Sequence, residues 1–584
     1  AQVNTASEVV ETRERLEELL ALWRGLDGVN VLALPSLDVV CVEWAETEKE
    51  HRAALLFAGK LECYNDGLRT LFAPDIKKVV HGSKELCKRL LDEGIQPGGI
   101  VFDTEVAAYL LAPTDGSYDL EKLGITYYNQ EFPKAKAYLE EGAFGPLADP
   151  AGPTAALLSH TALIGALRKT LSQRLEELGL NKIYQEVDLP LCPVLAEMEE
   201  IGVLVDRGAL VEFGEMLSQG IDKVQAAIYE LAGEEFNINS TQQLGRILFD
   251  QLGLPPVKKT KTGYSTNAEV LDKLRGRHPI IEQILDYRQL TKLKSTYVDG
   301  LGKVIGDDGR IHTCFQNTVT ATGRLSSAEP NLQNIPIRTP LGAELRKMFV
   351  AGPGMTLVDA DYSQIELRLL AHMAGDEKMI EAFRSGRDFH TVTAAQVFGV
   401  EPEQVTHEMR RSAKAVNFGI VYGISAFSLS QDIGVTVAEA KAYMDRYFAT
   451  YPGVRAYMDH VVERAKADGY VSTLMGRRRW LPELKSSNFN TRSFGERVAL
   501  NMPIQGTAAD IIKLAMLRVR DRLKAEGLRG QLVLQVHDEL IVECPQEEQE
   551  RVCALLQEEM EGVFPLSVPL VAETHAGQSW AESH

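Results

Sequence analysis

Three stretches carry side chains whose types and spacing suit phosphoryl transfer. His537, Asp538 and Glu539 form a polar step inside Gln531-Leu-Val-Leu-Gln-Val-His-Asp-Glu-Leu-Ile-Val-Glu543. The flanking arms are β-branched and leucine-rich and of strand length, so the step reads as a hairpin turn. Carboxylates at a tight bend between apolar strands are held rigidly and can be aimed, which suits a metal ligand; the same step is also compatible with a solvated surface turn. Met355-Thr-Leu-Val-Asp-Ala-Asp361 reads as a second short strand, followed by a helix with Ser363 as its expected N-cap. Asp361 at the strand exit is then either a helix-capping acid or a partner for Asp538. Two aspartates on neighbouring strand ends can hold two Mg²⁺ ions, which activate an attacking oxygen and stabilise the leaving one. In the third stretch Arg410, Lys414, Phe418 and Tyr422 recur every four residues. On a helix that spacing stacks them along one face. The cations suit a triphosphate and the rings suit a base. Such a stripe fits neither a core nor a solvated face, so it reads as functional.

These stretches resemble motifs A, B and C of the family A DNA polymerases. Asp361-Tyr-Ser-Gln-Ile-Glu-Leu-Arg368, Arg410 to Gly423, and Val536-His-Asp-Glu539 carry the likeness in order and spacing. Thr322-Gly-Arg-Leu-Ser-Ser327, Asn331-Leu-Gln-Asn-Ile-Pro336 and Asn501-Met-Pro-Ile-Gln-Gly-Thr507 match as well. The likeness runs from Tyr184 to the C-terminus, and the chain resembles the large, Klenow-type bacterial fragment that lacks a 5′-nuclease domain. The resemblance implies a DNA-directed DNA polymerase of replication and repair, a nucleotidyltransferase acting on primer-template DNA and deoxynucleoside triphosphates. It implies two Mg²⁺ ions, replaceable by Mn²⁺, on Asp361 and Asp538, with Glu539 in support. Lys414 would donate a proton to the leaving pyrophosphate or hold it. Arg410 and His390 would meet the β and γ phosphates, although His390 could equally be a satisfied loop histidine. Gln364 would belong to the nucleotide site, Glu366 would fill the space of a ribose 2′-hydroxyl, and Phe418 and Tyr422 would stack near the bases. Arg324, Arg497, Asn501, Gln505 and His537 would read the minor groove or hold the primer end, with Asn331 and Gln333 also on DNA. Minor-groove acceptors are nearly the same in every base pair, so donors there test pair shape rather than sequence.

The elements that must position these groups imply several domains, since single cores stop growing well below 584 residues. The expected fold is multi-domain α/β and α+β: an RNase H-like, exonuclease-like α/β domain, then a right-hand polymerase of palm, fingers and thumb. By resemblance, residues 1–178 form the first domain, 179–301 the palm entry and helical thumb, 302–372 and 490–584 the palm, and 373–489 the fingers. Asn30–Leu34 and Val39–Glu43 read as strands, Lys84–Glu93 and Glu105–Leu111 as helices. Proofreading needs four carboxylates, and the positions that match the family's hold none: Leu32-Ala-Leu-Pro-Ser36 has no acid, Leu86 replaces a second Asp, and His160 and Ala156 replace a third Asp and a Tyr. Asp103-Thr-Glu105 matches a structural segment instead. The domain is therefore expected to be proofreading-dead. Helices are expected over Arg207–Leu231, Thr241–Leu252 with Ser240 as N-cap, and Pro279–Leu301. Between them Lys258, Lys259 and Lys261 sit on a Pro- and Gly-bounded loop, the tip of the thumb over DNA.

A net charge of −20 opposes nucleic-acid binding unless positive charge is gathered locally. Three runs offer it: Lys258 to Lys261, Arg288 with Lys292 and Lys294, and Arg477 to Arg479. Much of the acid lies at Glu547, Glu548, Glu550, Glu558, Glu559 and Glu561, read as a solvated helix face. The seven cysteines form no paired or metal-ligand pattern, which suits a reducing cytoplasm. No apolar run approaches the ~18 residues of a membrane span. The chain begins Ala-Gln-Val-Asn-Thr, without a Met or a signal-peptide core, as expected of a trimmed fragment. A cytoplasmic monomer is expected. The competing readings are a single-subunit phage-type RNA polymerase, disfavoured by Glu366, a non-catalytic DNA-binding scaffold, and a nuclease of the first domain.

Overall fold

Alternating apolar runs and turn signals in the first hundred residues build a sheet. In the computed structural model, which describes residues 4–337 and 339–584, it has six strands: β1 (Asn4–Val9), β2 (Val29–Ala33), β3 (Val39–Ala45), β4 (Glu50–Phe57), β5 (Lys78–Val80) and β6 (Ile100–Asp103). Their order is β1-β4-β3-β2-β5-β6. β2, β5 and β6 run parallel, and β3 is antiparallel to both β2 and β4. Helices cover the sheet. Trp23 and Trp44 meet edge to face at 5.5 Å in one layer, and the Ala151–Glu177 helix lies across β2 and β3. The predicted helices are Ser83–Asp92 and Thr104–Leu111. Asp103 is structural, as expected: fully buried, it accepts from the Gly82, Ser83 and Glu105 amides at 3.0, 2.7 and 2.9 Å.

The chain divides into two compact units. One runs to Ile201 and includes Phe315–Ser327 and Val358–His575. Besides the six-stranded sheet it holds most of a second, four-stranded sheet: β7 (Met355–Tyr362), β8 (Gln531–Val536), β9 (Glu539–Pro545) and β10 (Ala572–Gly577), in the order β8-β9-β7-β10. Between β7 and β8 comes a helical insertion that includes Phe389–Phe398 and His407–Val421, then the long Phe489–Ala525 helix.

The other unit comprises Gly202–Cys314, Ala328–Leu357 and Ala576–His584. Its Arg207–Ala232 helix is capped by Asp206 and packs on the Pro279–Lys292 helix. Ser240 caps the Thr241 helix as expected, accepting from the Gln243 amide at 3.3 Å. The core between these helices is Ile228, Phe236, Leu248, Ile281 and Ile284. The loop with the first basic run folds into a small hairpin, Lys259–Thr260 against Gly263–Tyr264, with Lys258, Lys259 and Lys261 exposed.

Two of the three basic runs each lose one cation to the interior, while Lys292 stays exposed. Arg288 turns inward and donates to the Thr266 carbonyl at 2.5 Å. Arg477 is 2% exposed and donates to both Asp188 oxygens at 2.9 and 2.8 Å and to Asp510 at 2.8 Å. It is a buried tie, because remote carboxylates converge on it. The acidic C-terminal face is likewise partly paired, with Arg529 on Glu547 and Arg522 on Glu558, both at 2.6 Å. No disulfide joins any of the seven cysteines. Among the described residues no helix is long and apolar enough to cross a membrane.

Candidate active site

Apolar arms force the hairpin β8–β9 to close through two residues, His537 and Asp538, with Val536 paired to Glu539. His537 takes a φ of 52°, a costly conformation for a non-glycine residue. The turn is tied down by Gln535, whose Nε2 donates to the His537 carbonyl at 2.6 Å. Glu539 lies outside the turn, as the first residue of β9, and is buried. The strand next to β9 is β7. Where they end, the Tyr362 N–H donates to the Asp538 carbonyl at 3.1 Å. Since neighbouring strands run ~4.8 Å apart, this bond sets the backbones of Asp361 and Asp538 side by side. Both residues are half-buried.

The strand runs further than expected, and Ser363 is not a helix cap. Its N–H donates to the Val571 carbonyl and its own carbonyl accepts from Arg368 Nε, each at 2.8 Å. Both backbone groups are thus committed before the helix begins at Ile365, and the N-cap position falls to Gln364, held left-handed at φ 49°. Asp361 therefore belongs to the strand and is not the capping acid.

Glu366, in the first turn of that helix, joins a polar cluster. Arg324 donates to its carboxylate at 2.7 Å and the Tyr422 hydroxyl reaches it at 3.4 Å. Gln505 bonds Tyr422 from the long helix, and Asn501 Nδ2 donates to the Val421 carbonyl at 3.4 Å. Burial raises the Glu366 carboxyl above its ordinary range; Arg324 pulls it down and Asp538 pushes it up. Burial also raises Asp538, against Arg324 and His537, with Glu539 adding to the rise.

A second cluster continues from Gln364. The His407–Val421 helix, capped by Thr406, presents Arg410, Lys414 and Phe418 on one face, with Tyr422 at its C-cap. Phe418 and Tyr422 are exposed. Asn417 Nδ2 donates to His390 Nδ1 at 3.0 Å. Gln364 Nε2 lies 3.3 Å from the other ring nitrogen, His390 Nε2. Burial lowers His390 to about 4, with Arg410 and Lys414 helping and Asp388 opposing. Asp388, which the sequence reading passed over, caps the Phe389 helix and accepts from Arg410 at 2.9 and 3.2 Å. Burial opposes its ionisation, but the bonds from Arg410 and Thr391 outweigh this and hold it at about 2. An Asp directly before an apolar helical run is a cap signal; its tie to Arg410 is tertiary and leaves no local trace. Asn417, also passed over, is fully buried beneath the ring it holds.

Arg497 is exposed on the long helix beside Gly423. Asn331, whose side chain accepts from the Gln333 amide at 3.1 Å, belongs to the other unit with Gln333 and the three exposed lysines.

The oxygen-only donor set of Asp361 and Asp538 suits a hard divalent cation. A carboxyl raised by burial and by the acid beside it is the kind of group a cation would relieve. The residues therefore fit a metal.

A six-stranded sheet under helices, then a four-stranded sheet with a helical insertion before its carboxylate hairpin, is the architecture of the family A polymerases. The family model for DNA polymerase family A matches residues 207–582, and the chain belongs to that family, whose members depend on divalent metal. It is 49% identical over 509 residues to DNA polymerase I of Geobacillus stearothermophilus, covering 87% of this chain and 58% of that protein. It is 51% identical over 425 residues to the thermostable DNA polymerase I of Thermus aquaticus, covering 72% and 51%. The chain thus spans somewhat over half the length of these relatives. The structure of the POL domain of Pol1 from M. smegmatis, in complex with DNA primer-template and dNTP, superposes with a TM-score of 0.89 at 38% identity, covering 99% of this chain and 100% of that one.

Proposed function

We propose that the protein is a template-directed DNA polymerase that transfers deoxynucleotides to a primer 3′-hydroxyl and releases pyrophosphate. The observation that carries this reading is the Tyr362 to Asp538 backbone bond of 3.1 Å, which brings two remote aspartates together at one end of the four-stranded sheet. Asp361 and Asp538 would hold two Mg²⁺ ions, with Glu539 in support. Bound there, the ions would lower the pKa of the 3′-hydroxyl and neutralise the triphosphate.

The remaining chemistry falls to side chains. Arg410 and Lys414 grip the triphosphate as charge-assisted donors, and Asp388 holds Arg410 extended until a phosphate competes for it. Lys414 can pass a proton to the departing pyrophosphate. His390 is neutral, so it meets the phosphates as a hydrogen-bonding ring, not as a cation. Glu366 blocks a ribose 2′-hydroxyl, and Phe418 and Tyr422 stack near the bases. Arg324, Arg497, Asn501, Gln505 and His537 test the shape of the terminal pair, and the lysine hairpin, with Asn331 and Gln333, contacts DNA. In the six-stranded domain the positions of the missing acids are occupied otherwise. His160 bonds Tyr138 at 2.6 Å and the Pro133 carbonyl at 2.5 Å, and Ala156 is core. That supports the absence of proofreading.

Primer extension with single deoxynucleotides opposite each template base tests the reading. Incorporation of the complementary nucleotide alone is expected; no extension in Mg²⁺ by the wild-type protein would overturn it.

A further inference from the structure

A proofreading-dead domain need not be idle, and its contacts suggest what it does. Residues 315–327 carry Arg324 and are gripped at three points. Lys84, in the six-stranded domain, donates to the Phe315 carbonyl at 2.8 Å and to Glu199 at 2.9 Å. Farther along, the hydroxyl of Tyr109, from the helix after β6, donates to the Thr320 carbonyl. Tyr109 is 1% exposed, so this donor has no water to turn to. The Thr320 hydroxyl in turn donates to the Arg324 carbonyl at 2.6 Å. The third grip lies under Gly323, whose φ is 87° and where an added Cβ would meet Arg477 Nε at 2.5 Å. Only glycine lets the loop settle on that guanidinium, which Asp188 and Asp510 fix from below. Arg324 leaves this braced loop to reach Glu366 at 2.7 Å.

We propose that Tyr109 and Arg477 are positioning residues that hold Arg324 against Glu366, so that the six-stranded domain is a working part of the polymerase site. The proposal rests on the polymerase reading for its consequence in catalysis, and on geometry alone for the brace itself.

Tyr109→Phe removes one hydroxyl and no bulk. The loss of a single buried bond corresponds to about a threefold to tenfold fall in kcat/KM for nucleotide. If Tyr109 acts through Arg324, the double variant Tyr109→Phe/Arg324→Ala is no worse than Arg324→Ala alone. In the free protein, amide exchange across residues 318–326 is expected to quicken by about threefold or more in Tyr109→Phe. Additive effects in the cycle, or unchanged exchange in that peptide, would overturn the proposal. Exchange needs neither primer nor nucleotide, so it decides the brace even if the protein extends no primer, a result that would count against the polymerase reading instead.

Discussion

Glu366→Ala should open the nucleotide pocket to ribonucleotides, and the structure sets the size of the effect. To admit a 2′-hydroxyl, the wild-type protein must displace the Glu366 carboxylate from Arg324 at 2.7 Å and from Tyr422 at 3.4 Å. A charge-assisted bond contributes about 1.5–3 kcal/mol and a neutral one about 0.5–1.5 kcal/mol. The Arg324 side chain is 43% exposed, which puts the first at the low end, and the length of the second does the same. The sum is about 2 kcal/mol, which at about 1.4 kcal/mol per decade gives about 30-fold. The assay is kcat/KM for dCTP and for CTP on one primer-template, in wild type, Glu366→Ala and Glu366→Gln. The deoxy-to-ribo ratio should fall about 30-fold in the alanine variant. Gln keeps the bulk and an acceptor for Arg324, so it should retain most of the discrimination. A ratio in Glu366→Ala within about threefold of wild type would refute the gate and the idea that its two bonds hold it shut.

Arg477→Met should destabilise the protein by about 3–5 kcal/mol, since it leaves Asp188 and Asp510 buried with Lys513 as their remaining cation; denaturant unfolding measures it, and a loss under about 1 kcal/mol would mean that the tie contributes little. His390 should titrate well below an ordinary histidine, at about 4. Because the unfolded chain takes up this proton from pH 6.5 downward and the folded one only near 4, folding stability from this group falls as pH drops through that window and is level below it. An NMR titration, with His390→Asn to assign the resonance, checks this; a midpoint near 6.5 would contradict the buried neutral ring. A primer with a terminal mismatch should persist in Mg²⁺ without nucleotide, and its excision by the pure protein would restore a nuclease to the six-stranded domain.

What the sequence could reveal depended on how local its causes were. The β8–β9 hairpin was legible because apolar arms and a polar step determine it within a dozen residues. The face of Arg410, Lys414, Phe418 and Tyr422 was legible because helical periodicity alone aligns them. Ser363 misled because a serine before an amphipathic run satisfies every local rule for a cap, whereas the Val571 carbonyl that claims its amide lies far along the chain. Arg477 misled in the same way: within Arg477 to Arg479 it reads as surface charge, and only tertiary structure brings Asp188 and Asp510 to it. The neutrality of His390 was hidden too, since it follows from burial and from the charges of Arg410 and Lys414, none of which leaves a mark near position 390. The brace from Tyr109 to Thr320 joins residues far apart in the chain, and no spacing rule could have suggested it.

The most direct test of the central claim, that Asp361 and Asp538 act as one unit at the end of the four-stranded sheet, is the single-turnover extension rate in saturating Mg²⁺. Asp361→Asn and Asp538→Asn should each slow it by about a thousandfold or more, and the double variant should be no slower than the worse of the two. Extension by either single variant within about tenfold of the wild-type rate, or losses that multiply in the double, would contradict a shared metal site.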